Sequence, residues 1–162
     1  MCGEAVSAGR EQHSWIRDPG TPYEVSRVKI AEFAEAIGDP NPAYRDRAAA
    51  RQAGYPDVIA PPTFGAVVAL PGSIAAARDA FPGTGSPIVV HVEQRFAYAR
   101  PIWAGDVLHV ASAVTGIREM RRSVMVTTRT EIRAADGEHI CTAYMTLATL
   151  PGDGNGERPR HA

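Results

Sequence analysis

From about residue 88 onward apolar and polar side chains alternate with a period of two in four stretches. These are PIVVHVEQRFAYA, DVLHVASAVTGIRE, RSVMVTTRTEIRA and EHICTAYMTLATL, divided by turn signals at RPIWAGD, EMRR and ADGE. The Asp136-Gly137 pair is a strong hairpin signal, so the last three stretches are expected to form an antiparallel meander. The first half of the chain has a different rhythm. TPYEV reads as a short strand-like entry. Val28, Ile30, Phe33, Ala34 and Ile37 recur at helical spacing behind Ser26, a good cap, and before Gly38, a natural stop. Asp46 is placed to cap a second short helix, RAAARQA, closed by Gly54. GAVVALPGSIAAARDAF is apolar on nearly every side at first, the mark of a buried helix, and Pro71 and Gly72 are expected to bend or interrupt it. One long apolar helix followed by antiparallel strands predicts an α+β domain of hot-dog architecture, in which the sheet wraps the helix.

Composition narrows the function without naming it. With 162 residues, one domain spanning about 15–150 is expected, with 1–14 and 151–162 as mobile ends rich in Gly, Pro and charge. Cys2 and Cys141 form no framework and no CxxC pair, which suits a reducing compartment and no structural metal site. A formal charge of −1 with scattered arginines argues against a nucleic-acid partner. No stretch has the length of a signal-peptide core or a membrane span, so a soluble, cytoplasmic protein is expected.

Two Pro-punctuated loops hold the candidate chemistry: GDPNPAYRD at 38–46 and GYPDVIAPPTF at 54–64. Together with FAYARPIWAGD and the closing GEHICTAYMTL they resemble the MaoC-like hydratase and dehydratase family. The likeness is greatest to the N-terminal MaoC-like branch that includes the HadA- and HadC-type subunits of (3R)-hydroxyacyl-ACP dehydratase. It covers roughly residues 22–147. In catalytic members the loop reads Gly-Asp-x-Asn-Pro-x-His. Eliminating water from a β-hydroxyacyl thioester needs a base near the α-proton and an acid near the β-hydroxyl, and an Asp/His pair supplies both. Backbone N–H groups at the start of the buried helix could hold the developing oxyanion.

The resemblance implies Asp39 as the family aspartate and Asn41 and Pro42 as the residues shaping the loop. It puts Tyr44 in the histidine slot, where a phenol of ordinary pKa near 10 is a poor base at neutral pH but can donate a hydrogen bond. Tyr44 as a plain packing residue remains an equal alternative. Catalytic members also tend to have His-Gly where this chain has Pro61, Pro62 and Thr63. Pro62, Thr63, Phe64 and His91 complete the candidate substrate-binding set, although on strict alternation His91 shares a strand face with Glu93 and Arg95 and reads more readily as a surface residue. Phe96 and Trp103 read as core ahead of tunnel lining.

The implied function is the substrate-binding half of a 3-hydroxyacyl-thioester dehydratase or enoyl hydratase. The substrate would be an acyl-CoA or acyl-ACP, and no cofactor is needed. The assembly would be a homodimer, or a heterodimer with a catalytic MaoC-like subunit, because a hot-dog sheet leaves an edge to be covered. Two alternatives stay open: a stand-alone enzyme using Asp39 with Tyr44 or His91, and a non-catalytic acyl-thioester-binding module.

Overall fold

The computed structural model describes residues 15–17, 22–78, 80–81, 88–120 and 123–150. The two expected mobile ends, the FPGTGSP exit loop for the most part, and the arginines of EMRR lie outside the described residues. Strands β1 (Trp15–Arg17) and β2 (Tyr23–Glu24) precede helices α1 (Arg27–Ala36), α2 (Arg47–Gln52) and α3 (Gly65–Arg78). Four long strands follow: β3 (Ile88–Tyr98), β4 (Val107–Met120), β5 (Ser123–Ala134) and β6 (His139–Leu150).

All pairings are antiparallel, in the order β1-β4-β5-β6-β3, with β2 also on β4. The expected meander is therefore β4-β5-β6, and β3 lies at one end of the sheet. The curled sheet packs along α3, which is the hot-dog fold. Among the described residues no helix is long and apolar enough to cross a membrane.

Local chemistry explains the helix ends. Ser26 accepts from Lys29 N at 3.1 Å and Asp46 from Ala48 N at 2.7 Å, each satisfying a donor that the first turn leaves unpaired. At the other ends Gly38 (φ 70°) and Gly54 (φ 92°) take the left-handed conformation that lets the chain reverse. The bonding is the same in both. Gly38 N donates to Glu35 O and Asp39 N to Ala34 O; Gly54 N donates to Arg51 O and Tyr55 N to Ala50 O. These two Schellman closures send Asp39 and Tyr55 off in fixed directions, and both residues reappear at the site.

Three expectations are corrected. Of the bend or interruption expected at Pro71, the interruption does not occur: helix α3 continues through it. Proline removes one i→i−4 bond at that point, but Gly72 and Ser73 beside it are buried against the sheet, Gly72 so closely that a Cβ would meet Ser112 Oγ at 2.6 Å. Packing holds the turn that propensity would open. In α1 only Ile30 and Ala34 are buried, whereas Val28 and Ile37 are exposed, so its apolar stripe is narrower than the spacing suggested. In β3 a bulge lies between His91 and Glu93: His91 pairs with Leu147 and Glu93 with Thr146. The extra residue breaks the alternation that was to set His91 on one face with Glu93 and Arg95.

Beneath α3 the core mixes apolar and hydroxyl groups. Val126, Ile132, Ala143 and Met145 are buried there. Thr130 Oγ1 is bonded at 2.8 Å to Ser73 on α3 and at 2.8 Å to Ser112 on β4, so three buried hydroxyls satisfy one another across the helix–sheet contact.

Candidate functional site

Both Pro-punctuated loops and the β3–β4 connection meet at one cleft of about 460 Å³. Asn41 opens a 3-10 turn, Pro42–Tyr44, by accepting from Ala43 N at 3.0 Å, with Pro42 at its first position. That turn carries Tyr44 inward, where only 6% of it stays exposed. Asp39 sits just before, its Oδ1 accepting from Asn41 N at 3.1 Å and its backbone carbonyl bonded by Arg45 at 2.7 Å.

The second loop forms the facing wall. Ile59 N donates to Ala43 O, Ala60 N to Ile102 O and Ala104 N to Val58 O, so residues 58–60 are stitched to both neighbouring segments. Asp57 clamps the same loop from behind. It takes a bidentate pair from Arg27 at 2.9 and 2.8 Å, lies 3.3 Å from Arg47 and accepts from Val58 N at 2.8 Å. Its carboxyl is held well below the usual carboxylate range, chiefly by the Arg27 hydrogen bond, with burial opposing and the Val58 bond and both arginine charges assisting.

The third wall comes from FAYARPIWAGD. Tyr98 donates to Pro62 O at 2.8 Å. Burial pushes its phenol far up, so it stays a neutral donor, and Cys141, opposite in the β3–β6 ladder, adds to the shift. The Cys141 thiol is itself pushed up to about 11, mainly by burial. Gly65, the first residue of α3, is required here, because a Cβ would fall 2.6 Å from the Tyr98 hydroxyl. Arg100 spans the wall: it holds Asp106 through two bonds at 2.9 Å and Glu138 through a third at 2.9 Å, and lies 3.8 Å over the Trp103 ring. Gly105 (φ 94°) makes the turn, and Asp106 Oδ2 accepts from Trp103 N at 3.0 Å, the structural part expected of AGD.

Of the eight candidate residues, Asn41, Tyr44 and Pro62 line this cleft. Asp39 and Pro42 stand behind it as the frame of the Tyr44 turn. Thr63 is exposed beside Pro62. Phe64 is fully buried, edge-on to Phe33 at 5.4 Å and to Tyr23 at 6.3 Å. His91 is exposed on β3, with Nε2 3.1 Å from Glu93 O, and does not line the cleft. Phe96 and Trp103 pack against the main core, as core-forming aromatics should. Sequence reading missed Tyr55, Tyr98 and Arg100 as lining residues. The signal available was position: Tyr55 follows a helix-stopping glycine just as Asp39 does.

Tyr44 is perturbed in the same direction as Tyr98. Its phenol pKa is raised, first by burial and then by the Asp39 charge, with Tyr55 adding a little and the Asn41 side chain pulling the other way. A neutral phenol is the form present at physiological pH. The site therefore offers a buried hydroxyl donor next to a carboxylate, where a histidine would have offered a titrating base.

Comparison with known proteins bears on the family and the fold. The family model of the FAS1-like, dehydratase domain region matches residues 14–143. A UPF0336 protein of Thermobifida fusca is 47% identical over 132 residues, which cover 82% of this chain and 86% of that protein. Among solved structures, a chain of the C-terminally truncated HadBC (3R-hydroxyacyl-ACP dehydratase) complex from Mycobacterium tuberculosis is similar at TM-score 0.73 and 29% identity, covering 86% of this chain and 98% of that one. A MaoC-like dehydratase is similar at TM-score 0.75 and 32% identity; the match covers 90% of this chain but 43% of that larger one.

Proposed function

The chain belongs to the FAS1-like dehydratase region family, a MaoC-like hot-dog family, and from that premise we propose that it is the substrate-binding subunit of a 3-hydroxyacyl-thioester dehydratase or enoyl hydratase, working beside a hot-dog partner that brings the catalytic histidine. The observation that carries this reading is Tyr44. It occupies the loop position of a proton-transfer residue, lines the cleft and is kept protonated by burial and by Asp39. A group so held can orient an oxygen by donating to it, but it cannot take the α-proton at neutral pH. The partner has a place to sit. β3 ends the sheet, and Val89 and Val92 on it are exposed, an edge that a second hot-dog sheet would cover. That the similar HadBC protein is a complex points the same way.

In this reading Asn41 and Pro42 shape the loop, Tyr44 meets the substrate, and Pro62 and Thr63 stand at the cleft wall and the start of α3. Burial, with the Asp39 charge adding to it, raises the Tyr44 pKa further above the neutral range. The electrostatic nearness of Asp39 and Tyr44 also favours a second reading, a stand-alone enzyme with Asp39 as base and Tyr44 as acid. The test is reconstitution with a hot-dog subunit bearing Gly-Asp-x-Asn-Pro-x-His, followed by loss of the conjugated double bond of trans-2-enoyl thioesters. Complex formation with turnover that depends on both chains is expected. A partner equally active without this chain would overturn the proposal.

A further inference from the structure

The polar groups around the cleft are supplied unevenly. Pro61, Pro62 and Pro101 have no N–H to offer. The carbonyls of five lining residues are already engaged. Pro61 O accepts from Phe64 N at 2.9 Å, Ile102 O from Ala60 N at 2.7 Å and Asn41 O from Tyr44 N at 3.2 Å. Pro62 O accepts from Tyr98 at 2.8 Å and Pro101 O from Arg100 at 3.0 Å. Asn41 Oδ1 caps Ala43, and the Arg100 guanidinium is directed to Asp106 and Glu138. Tyr98 and Arg100 thus hold the frame, and the side-chain donors on the cleft wall are the phenols of Tyr44 and Tyr55 and the amide NH2 of Asn41, which is itself hydrogen-bonded to Tyr44.

Tyr55 lies outside the Gly38–Asp46 loop, yet its placement is as determined as that of Asp39. The Schellman closure of α2 fixes its backbone through the bond to Ala50 O at 3.0 Å, and its ring packs against the main core while lining the cavity. It lies close enough to Tyr44 to act on it electrostatically. Two phenols lining one cleft in which five carbonyls are already engaged favour a ligand atom that accepts hydrogen bonds.

We propose that Tyr55 is a second substrate-contacting, specificity-determining residue, which with Tyr44 donates hydrogen bonds to an oxygen on the β-carbon of an acyl thioester. This rests on the reading of the cleft as an acyl-thioester site and adds the residue that selects oxygenated chains over saturated ones.

The experiment is calorimetric titration of the full chain with two ligands of equal length, octanoyl-CoA and (R)-3-hydroxyoctanoyl-CoA. The wild-type chain should prefer the hydroxylated ligand by about 3- to 10-fold, the size expected of one or two neutral hydrogen bonds. In Tyr55→Phe the preference should fall below about 2-fold while octanoyl-CoA affinity and melting temperature hold, because only a hydroxyl is removed. An undiminished preference in Tyr55→Phe overturns the proposal, and so does equal weakening toward both ligands. If the preference disappears in Tyr44→Phe but not in Tyr55→Phe, Tyr44 alone makes the contact and the assignment of Tyr55 is wrong. Should the folded wild-type chain bind neither ligand, the acyl-thioester reading itself fails, and the role of Tyr55 with it.

Discussion

Around the cleft the chain is held by charged clasps and glycine-terminated turns, whereas beneath α3 it is held by burial and by three hydroxyls that see no solvent. Asp57 with Arg27 and Arg47, and Arg100 with Asp106 and Glu138, reinforce loops that backbone bonds between segments already stitch together. Thr130, Ser73 and Ser112 join elements that burial already holds in contact. The difference has a physical basis. A wall that presents polar atoms cannot be built wholly of apolar contacts; of its two clasps, the Asp57 one has half-exposed arginines that water screens, and the Arg100–Asp106 one is mostly buried. The region under α3 carries no such demand and tolerates polar groups only when every one is paired.

Four substitutions would break or sharpen that contrast, in decreasing order of effect. Phe64→Ala, at the fully buried junction of α1, β2 and α3, should cost about 3–5 kcal/mol in denaturant unfolding. Asp106→Ala should cost about 3 kcal/mol, since it leaves a mostly buried Arg100 and the Trp103 N–H without their carboxylate. Acyl-thioester binding should weaken as well, because Arg100 forms the wall. Thr130→Val should cost about 1–3 kcal/mol by stranding two buried serine hydroxyls. Binding in that variant should be unchanged, which separates core from cleft.

Asp57→Asn should change global stability by under about 1 kcal/mol, because its arginines are half exposed. Its signature is pH dependence. The folded-state pKa of Asp57 lies below its ordinary 3.8, so the carboxylate contributes stability that is fully present above that value and is lost as pH falls toward the folded one. Melting curves taken on acidification below about pH 4 should therefore fall more steeply for wild type than for Asp57→Asn. Parallel curves would show that the clasp does not hold the loop.

How much could be read beforehand depended on range. The Ser26 and Asp46 caps, the Gly38 and Gly54 stops and the four long strands follow from neighbours within a few residues, and each stands where expected. The continuity of α3 through Pro71 depends on contacts with β4 and β5, about 40 to 60 residues away in sequence, and propensity is blind to them. The bulge at Val92 shifts parity within β3, which no alternation rule anticipates from one strand. Tyr44 could be singled out because its loop has a family pattern. Tyr55 offered only its position after a helix-stopping glycine, and Tyr98 offered nothing, since only the pairing of residues 58–60 with 102–104 brings their segments to one cleft.

In the proposed function Tyr44 holds substrate and does not supply the missing base. The most direct measurement is hydration of a trans-2-enoyl-CoA series by the purified, folded chain alone, followed by loss of absorbance of the conjugated double bond. No turnover above the buffer rate is expected until a histidine-bearing hot-dog subunit is added. Full turnover by the chain alone, abolished in Asp39→Asn with the fold intact, would contradict it and make this chain the enzyme.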